Sequence, residues 1–247
     1  MTGRVAFLII VMTAFSGCTH DISTKESKPF SDNFTEDGTL KAGWILYEPN
    51  PASSFAIGTD GLLLEASGQN GGSDLWVGTN YRASLLLQPI SPSANWTIIT
   101  HFFFSPTVDF QAAGLILTME PGGFTRASKF HRFELSYQNR QNGLGIASYT
   151  NGPIDPSFAR YRDNEVYPKL TKVNTTYEYY YSITGVQWTL VSTIVDVSPY
   201  SYVGLDSIRQ PWHGSPTLES RPTFKSFCYL PAGEADSGDS ACHIPIS

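Results

Sequence analysis

Short β-branched and aromatic runs alternate with turn residues along most of the chain, and this pattern constrains the fold more than any other feature. After the N-terminal segment, no window of twelve or more residues has apolar positions at helical spacing. Asp60-Gly61 and Asn142-Gly143 are typical of hairpins because both residue pairs accept positive φ angles. The pattern predicts strands over residues 55–58, 62–66, 75–77, 84–88, 96–105, 112–119, 130–138, 143–149, 177–184, 187–194, 202–206 and 223–230. It therefore indicates an all-β fold, a jelly-roll β-sandwich of two antiparallel sheets.

The alternation of side chains indicates how two of these strands are oriented. In the strand over 130–138, Phe133 and Leu135 share one face, and Arg132 and Glu134 share the other. We expect the first face in the core and the second in water or along a groove. The run 98–104 is nearly all apolar, which predicts burial on both of its faces. His131 is expected at a strand surface.

Composition excludes two classes of protein. Residues are 13% aromatic and only 15% charged, whereas a disordered chain has few aromatic residues and much charge. The formal net charge of −6 offers no positive surface for phosphate groups. We therefore expect no nucleic-acid partner.

Trp44, Trp96 and Trp188 are expected in the core.

The first residues form a targeting signal rather than part of the fold. Arg4 precedes an apolar run over 5–15, which is too short to cross a bilayer. The sequence Ser16-Gly17-Cys18 then resembles the bacterial lipobox, although Phe15 stands where leucine is usual. The resemblance implies a signal peptide over 1–17 and a lipid on Cys18. Cleavage as an ordinary signal peptide is the alternative.

The position after the cysteine indicates the membrane. Thr19 replaces the aspartate of inner-membrane retention, so the resemblance implies a cell-envelope protein anchored by lipid in the outer membrane. We expect a flexible tether over 18–29, a sandwich domain over 30–230 and a C-terminal tail over 231–247.

Two cysteines remain after Cys18 is assigned. Cys228 and Cys242 are separated by 13 residues, and export would place them in an oxidising compartment. We expect a disulfide that joins the tail to the last strand, worth about 3 kcal/mol in the loop-entropy model. Two free thiols remain the alternative.

The order of these motifs over about 200 residues resembles one family. The segment 32–230 is similar to the concanavalin A-like β-sandwiches, closest to the C-terminal sandwich of family 43 β-xylosidases and its stand-alone relatives. The residues that carry the resemblance are Asp32-Asn33-Phe34, Trp44, Gly61-Leu62-Leu63, Asp74-Leu75-Trp76, Leu86-Leu87-Gln88-Pro89, Trp96, Phe110-Gln111-Ala112-Ala113-Gly114-Leu115, Tyr179-Tyr180-Tyr181-Ser182 and Gln187-Trp188. The resemblance implies a sandwich that serves carbohydrate-active enzymes, without implying an activity of its own.

A catalytic centre is not indicated. Glycoside hydrolysis needs two carboxylates across the scissile bond, and the only acids two residues apart are Asp163/Glu165 and Glu234/Asp236, in polar loop sequence. Glu134 and Glu178 are solitary in their strands, although a meeting across neighbouring strands remains open. We therefore expect no catalytic residues. An ion pair with Arg132 or exposure to solvent would explain Glu134 without a catalytic role.

Metal ligands are equally sparse. No two of the five histidines lie within five residues of each other. We expect no cofactor and no dedicated metal site. A structural calcium ion remains open, with Asp32, Asp60 and Asp74 near turns as oxygen donors.

Aromatic residues with polar neighbours are the positive signal for function. Sugar rings stack on tryptophan and tyrosine, and their hydroxyl groups bind carboxylates, amides and guanidinium groups. The polar–aromatic segments include 74–82 and 209–213. The candidate carbohydrate-binding residues are Trp76, Tyr81, Arg82, Arg132, Glu134 and Trp212.

We therefore expect an exported, lipid-anchored protein that binds a polysaccharide or oligosaccharide without catalysing a reaction. Two alternatives remain open: a polysaccharide hydrolase or lyase of sandwich fold, and an envelope structural or adhesion module with a protein partner.

Overall fold

A computed structural model describes residues 28–34, 39–76, 78, 80–138, 143–150, 154–210 and 217–233. The expected signal peptide, Cys18, Trp212 and Cys242 lie outside these residues, as do most of the expected tether and tail. Among the described residues, no helix is long and apolar enough to cross a membrane.

The described residues form β-strands and no helix. In chain order, the strands are β1 (Asp32–Asn33), β2 (Ile45–Tyr47), β3 (Ser54–Gly58), β4 (Gly61–Glu65), β5 (Leu75–Trp76), β6 (Asn80–Tyr81), β7 (Ser84–Pro89), β8 (Trp96–Phe103), β9 (Gln111–Thr118), β10 (Phe130–Gln138), β11 (Gly143–Thr150), β12 (Ile154–Arg160), β13 (Glu165–Val173), β14 (Thr176–Ser182), β15 (Thr189–Val195), β16 (Tyr202–Arg209) and β17 (Thr223–Pro231). The all-β prediction is confirmed.

Two antiparallel sheets form the sandwich. The eight-stranded sheet has the order β15-β14-β13-β8-β17-β4-β3, and β1 pairs with β17. The seven-stranded sheet has the order β12-β11-β10-β9-β16-β7-β2. Strands β5 and β6 form a separate hairpin, and neighbours that are distant in sequence, such as β9 and β16, give the sheets their jelly-roll connectivity.

The main core lies between the two sheets and follows the alternation of side chains. On β9, Leu115 and Leu117 belong to this core, and on β10 Phe133 and Leu135 do. The prediction for the core face of β10 is therefore confirmed. Trp96 is buried in the same core.

Strand β13 was not predicted from the sequence. It lies between β8 and β14 and contains Pro168, which lacks an N–H group and is unusual in a central strand. Pro168 pairs with Tyr181 of β14, whereas the pairing with β8 passes from Val166–Phe102 to Lys169–Ile99. The ladder to β8 is interrupted where the proline stands, so the strand tolerates it.

Three expectations about burial were wrong. Strand β8 is not buried on both faces, because Phe103 is 39% exposed at its end. His131 is buried rather than at the surface, and its ring nitrogens contact Tyr179 and Asp196. Trp188 is half-buried outside the main core, where it packs beside Ile99 on the outer face of the eight-stranded sheet.

Candidate functional site

The outer face of the seven-stranded sheet carries a second, smaller core. Side chains alternate along each strand, so Ile116 of β9 and Leu85 of β7 point away from the main core and pack with Leu75 and Phe124. Arg132 and Glu134 on β10, together with Asp206 on β16, have the parity of this outer face. The face is therefore covered rather than open to water, and buried charges lie beside its apolar residues.

Arg132 joins two acidic side chains from different parts of the chain. Its guanidinium Nη1 lies 3.2 Å from Glu134 Oε1 and 3.5 Å from Asp74 Oδ1. All three residues are buried, with at most 3% of their surface exposed. The ion pair of Arg132 with Glu134 that the sequence suggested is therefore present, and it extends to Asp74. Such pairing allows these charges to be buried.

Asp206 faces Glu134 across one strand. In the register of the sheet, Gly114 of β9 pairs with Glu134 on one side and with Asp206 on the other. A Cβ atom on Gly114 would lie only 2.0 Å from the carbonyl oxygen of Phe133. Only glycine fits there, and no side chain separates the two carboxyl groups.

Burial changes the protonation of this cluster. Burial and the negative charge of Glu134 raise the pKa of Asp206 well above its usual range. Burial also raises the pKa of Asp74 to about 6, although the positive charge of Arg132 and a hydrogen bond from Gln210 oppose the change. The raised pKa of Asp206 favours its neutral form, which reduces the negative charge that the cluster must bury.

The β5–β6 hairpin covers the cluster. Ser73 exchanges backbone hydrogen bonds with Arg209 at the end of β16, and Asp74, the next residue, reaches Arg132. Leu75 pairs with Tyr81 and packs onto the sheet, whereas Trp76 pairs with Asn80. Because neighbouring residues on a strand face opposite ways, Trp76 lies on the other side of the hairpin from Leu75 and is only half-buried.

Tyr81 and Arg82 fix the hairpin. The Tyr81 hydroxyl accepts a hydrogen bond from the Gly78 N–H at 2.6 Å, and its carbonyl accepts one from the Tyr47 hydroxyl at 2.9 Å. Arg82 remains partly exposed, and its guanidinium donates to the Asn70 carbonyl. The partly exposed polar and aromatic residues of this region are Trp76, Tyr81, Arg82 and Gln210, with Arg126 exposed beside Gly78. We call this set the hairpin rim.

The structure separates the sequence-predicted site residues into two layers. Arg132 and Glu134 lie in the buried layer, so the expectation that their face is wet or lines an open groove was wrong: the hairpin covers it. Trp76, Tyr81 and Arg82 lie in the hairpin above. Trp212 is outside the described residues.

Arg209 is structural rather than available to a ligand. It is fully buried, and its Nε donates to the Leu218 carbonyl at 2.6 Å. Asp206 was not predicted as a site residue, because no other acid lies two residues from it in its strand. One feature of the sequence could have indicated it: Asp206 is a lone aspartate in an otherwise largely apolar strand, on the face opposite Leu205.

Two of the three aspartates considered for calcium have other partners. Asp32 Oδ2 accepts a hydrogen bond from Trp44 Nε1 at 2.7 Å, and Asp74 pairs with Arg132. Among the described residues, no three or more histidine, cysteine, aspartate or glutamate side chains are grouped to hold a metal ion.

A family comparison explains the architecture. The profile of the β-xylosidase C-terminal concanavalin A-like domain matches residues 31–215. The chain belongs to this family. No curated protein sequence matches the chain significantly.

Solved structures share the fold. A family 43 glycoside hydrolase, BlXynB from Bacillus licheniformis, superposes with a TM-score of 0.64 at 17% identity, over 81% of this chain and 39% of that one. Xylan β-1,4-xylosidase from Bacillus halodurans gives 0.61 at 18% identity, over 83% and 40%. The chain thus spans about two fifths of the length of these enzymes. Griffonia simplicifolia lectin I-B4 gives 0.53 at 13% identity, over 81% and 99%.

Proposed function

We propose that this protein binds carbohydrate through the hairpin rim, on the outer side of the seven-stranded sheet. The observation that carries the proposal is a partly exposed tryptophan, Trp76, held by a hairpin whose base is fixed to a buried ion-pair cluster. Membership of a carbohydrate-related sandwich family and the lectin fold neighbour support it.

The chemistry of the rim suits a sugar. The indole of Trp76 offers an apolar surface for the C–H face of a pyranose ring. Arg82, Arg126 and Gln210, on or beside the same hairpin, supply donors for hydroxyl groups, and Gln210 also supplies an acceptor. The rim therefore combines ring contact with directional hydrogen bonds, as sugar sites require.

Arg132 and Glu134 act from below as positioning residues. Neither reaches solvent, so a sugar bound at the rim does not touch them. Arg132 instead holds Asp74, which lies two residues before Trp76. A hairpin held in place before binding loses less conformational freedom when the sugar arrives, which favours affinity.

A glycan array with the purified full chain tests this proposal. We expect binding to a defined set of oligosaccharides, with the signal at least tenfold lower in Trp76→Ala. Phe55→Ala is the matched control, because Phe55 is 40% exposed on β3 of the other sheet. No bound glycan, or equal losses in the two variants, contradicts the proposal; a stoichiometric protein partner recovered from membranes instead would favour an adhesion module.

One observation favours an enzyme as the second candidate. Glu134 and Asp206 form a carboxyl pair in which the pKa of Asp206 is raised, as acid–base chemistry requires of one member. Both side chains are out of reach of a polysaccharide in this conformation, so we favour binding without turnover. Release of reducing ends or unsaturated products from xylan, arabinan, glucan or alginate, lost in Glu134→Gln, would establish the enzyme.

We further propose that the sandwich is displayed on the bacterial outer membrane by a lipid on Cys18. The lipobox-like sequence before Cys18 supports this proposal. Cells that express the full chain should incorporate labelled palmitate into it, and Cys18→Ser should abolish the label. Label that persists in Cys18→Ser, or its absence from the wild type, contradicts the anchor.

A further inference from the structure

A groove lies on the outer face of the eight-stranded sheet, opposite the hairpin rim. Its volume is about 480 Å³. Its lining includes Thr97, Ile99, Lys169, Thr171, Trp188 and Leu230. We call it the Trp188 groove.

Its apolar side is built from two strands, β8 and β17, and the segment before β15. Ile99 of β8 and Cys228 of β17 are buried in a small cluster, against which Trp188 and Leu230 pack. Trp188 is only half-buried, so part of its indole faces the groove.

Its polar side carries a cation held by aromatic rings. Lys169 Nζ lies 4.2 Å from the centroid of the Trp188 ring and 4.4 Å from that of Tyr180. These cation–π contacts hold the ammonium group beside the exposed indole. Partial burial lowers the pKa of Lys169, which the negative charge of Glu178 opposes.

The charge of the groove is one-sided. Its described lining includes Lys169 and Lys172 and no aspartate or glutamate. Glu178 is engaged by the Tyr180 hydroxyl, which donates to it at 2.8 Å. An incoming anion would therefore find a positioned ammonium group without displacing a carboxylate from the lining.

Two hydroxyl groups lie on neighbouring strands in the same groove. Thr97 Oγ1 and Thr171 Oγ1 are 3.1 Å apart. A hydroxyl pair of this kind offers both a donor and an acceptor to the hydroxyl groups of a sugar ring.

We propose that the Trp188 groove is a second carbohydrate site that binds an acidic oligosaccharide, with a uronate carboxylate at Lys169 and the sugar ring on Trp188. The Trp188 ring offers a surface to the apolar face of a uronic acid, and the two threonine hydroxyl groups offer hydrogen bonds to its hydroxyl groups. The Lys169 ammonium group offers a positive charge to its carboxylate. The site is independent of the hairpin rim, because it lies on the other sheet.

Calorimetric titration of the full chain tests this second site. The ligands are tetragalacturonate and its fully methyl-esterified form, which has the same rings without the charges. We expect wild-type protein to bind the charged form at least tenfold more tightly, and Lys169→Met to lose that preference. Lys225→Met is the matched control, because Lys225 Nζ also lies over a ring of this sheet, 5.3 Å from the Phe103 centroid.

The outcomes separate the two sites. Retained binding in Trp76→Ala and Lys225→Met, with loss in Lys169→Met and Trp188→Ala, supports the second site even if the hairpin rim binds nothing. Equal weakening by Lys169→Met and Lys225→Met would show only diffuse charge and would overturn the proposal. Wild-type protein that binds neither ligand, or that dimerises through Lys169 instead, would also overturn it.

Discussion

Glu134 and Asp206 face each other across Gly114 on three adjacent strands, although they are 72 residues apart in the sequence. The glycine brings the strands together, Glu134 holds Arg132, and Arg132 holds the hairpin through Asp74. The buried layer thus determines where Trp76 lies.

Replacing Gly114 with alanine should destabilise the fold strongly. The new Cβ would lie 2.0 Å from the Phe133 carbonyl oxygen, so the backbone of β10 must move. We expect a loss of about 3 kcal/mol in the free energy of unfolding, measured by urea denaturation. Gly58→Ala is the control, since a Cβ there has no atom within 4 Å, and should change stability by less than about 0.5 kcal/mol. Equal effects would show that β9 and β10 are not this close.

The two facing carboxyl groups should respond differently to amide substitution. Burial and the charge of Glu134 raise the pKa of Asp206 and favour its neutral form, so Asp206→Asn changes little charge and should cost less than about 1 kcal/mol. Glu134→Gln removes a charge that pairs with buried Arg132 and should cost about 3 kcal/mol. Denaturant midpoints of the two variants give the comparison, and a reversed order would mean that Asp206 carries the charge.

The pH dependence of stability should show the titration of Asp74. Its pKa is raised to about 6 in the folded protein, so the folded state holds this proton at pH values where the unfolded chain has lost it. The free energy of unfolding should therefore fall by up to about 3 kcal/mol as the pH rises from about 4 to 6. Asp206 has a raised pKa too and contributes a slope of the same sign, so the comparison is made in an Asp206→Asn background. There Asp74→Asn should flatten the slope, whereas Asp60→Asn, at an exposed turn, should not. A slope that survives in Asp74→Asn would assign it to another group.

Asp196 should stabilise the far end of the main core. Its carboxylate accepts hydrogen bonds from the Tyr200 hydroxyl at 2.7 Å and the Ser198 N–H at 2.8 Å, and it lies 3.0 Å from His131 Nε2. Asp196→Ala leaves these buried donors without an acceptor and should cost about 2 kcal/mol. Thermal or urea unfolding measures this loss. The control is Asp163→Ala, on the exposed loop before β13, which should cost less than about 0.5 kcal/mol in the same assay.

Alternation along single strands predicted the fold and the core face of β10, because both depend on local residue order. It failed where a segment distant in sequence covers a strand or pairs with it. Arg132 and Glu134 have the pattern of a wet face, and a hairpin more than fifty residues earlier in the chain covers them. Pro168 concealed β13, since the interrupted ladder that tolerates it depends on the neighbouring strand β8.

The sequence indicated residue types of the candidate site but not their arrangement. Trp76 and Arg82 were proposed from their polar and aromatic neighbours, whereas Asp206 is placed opposite Glu134 only by β9. The register of β10, β9 and β16 brings these carboxyl groups together, and it depends on tertiary pairing that no local pattern in β16 specifies.

A crystal structure of the full chain with the tightest oligosaccharide from the glycan array tests the central claim most directly. We expect a sugar ring on the Trp76 indole, with hydroxyl groups bonded to Arg82 or Gln210 and Arg132 still paired with Asp74. Sugar bound away from the hairpin rim, including sugar found only in the Trp188 groove, would contradict it.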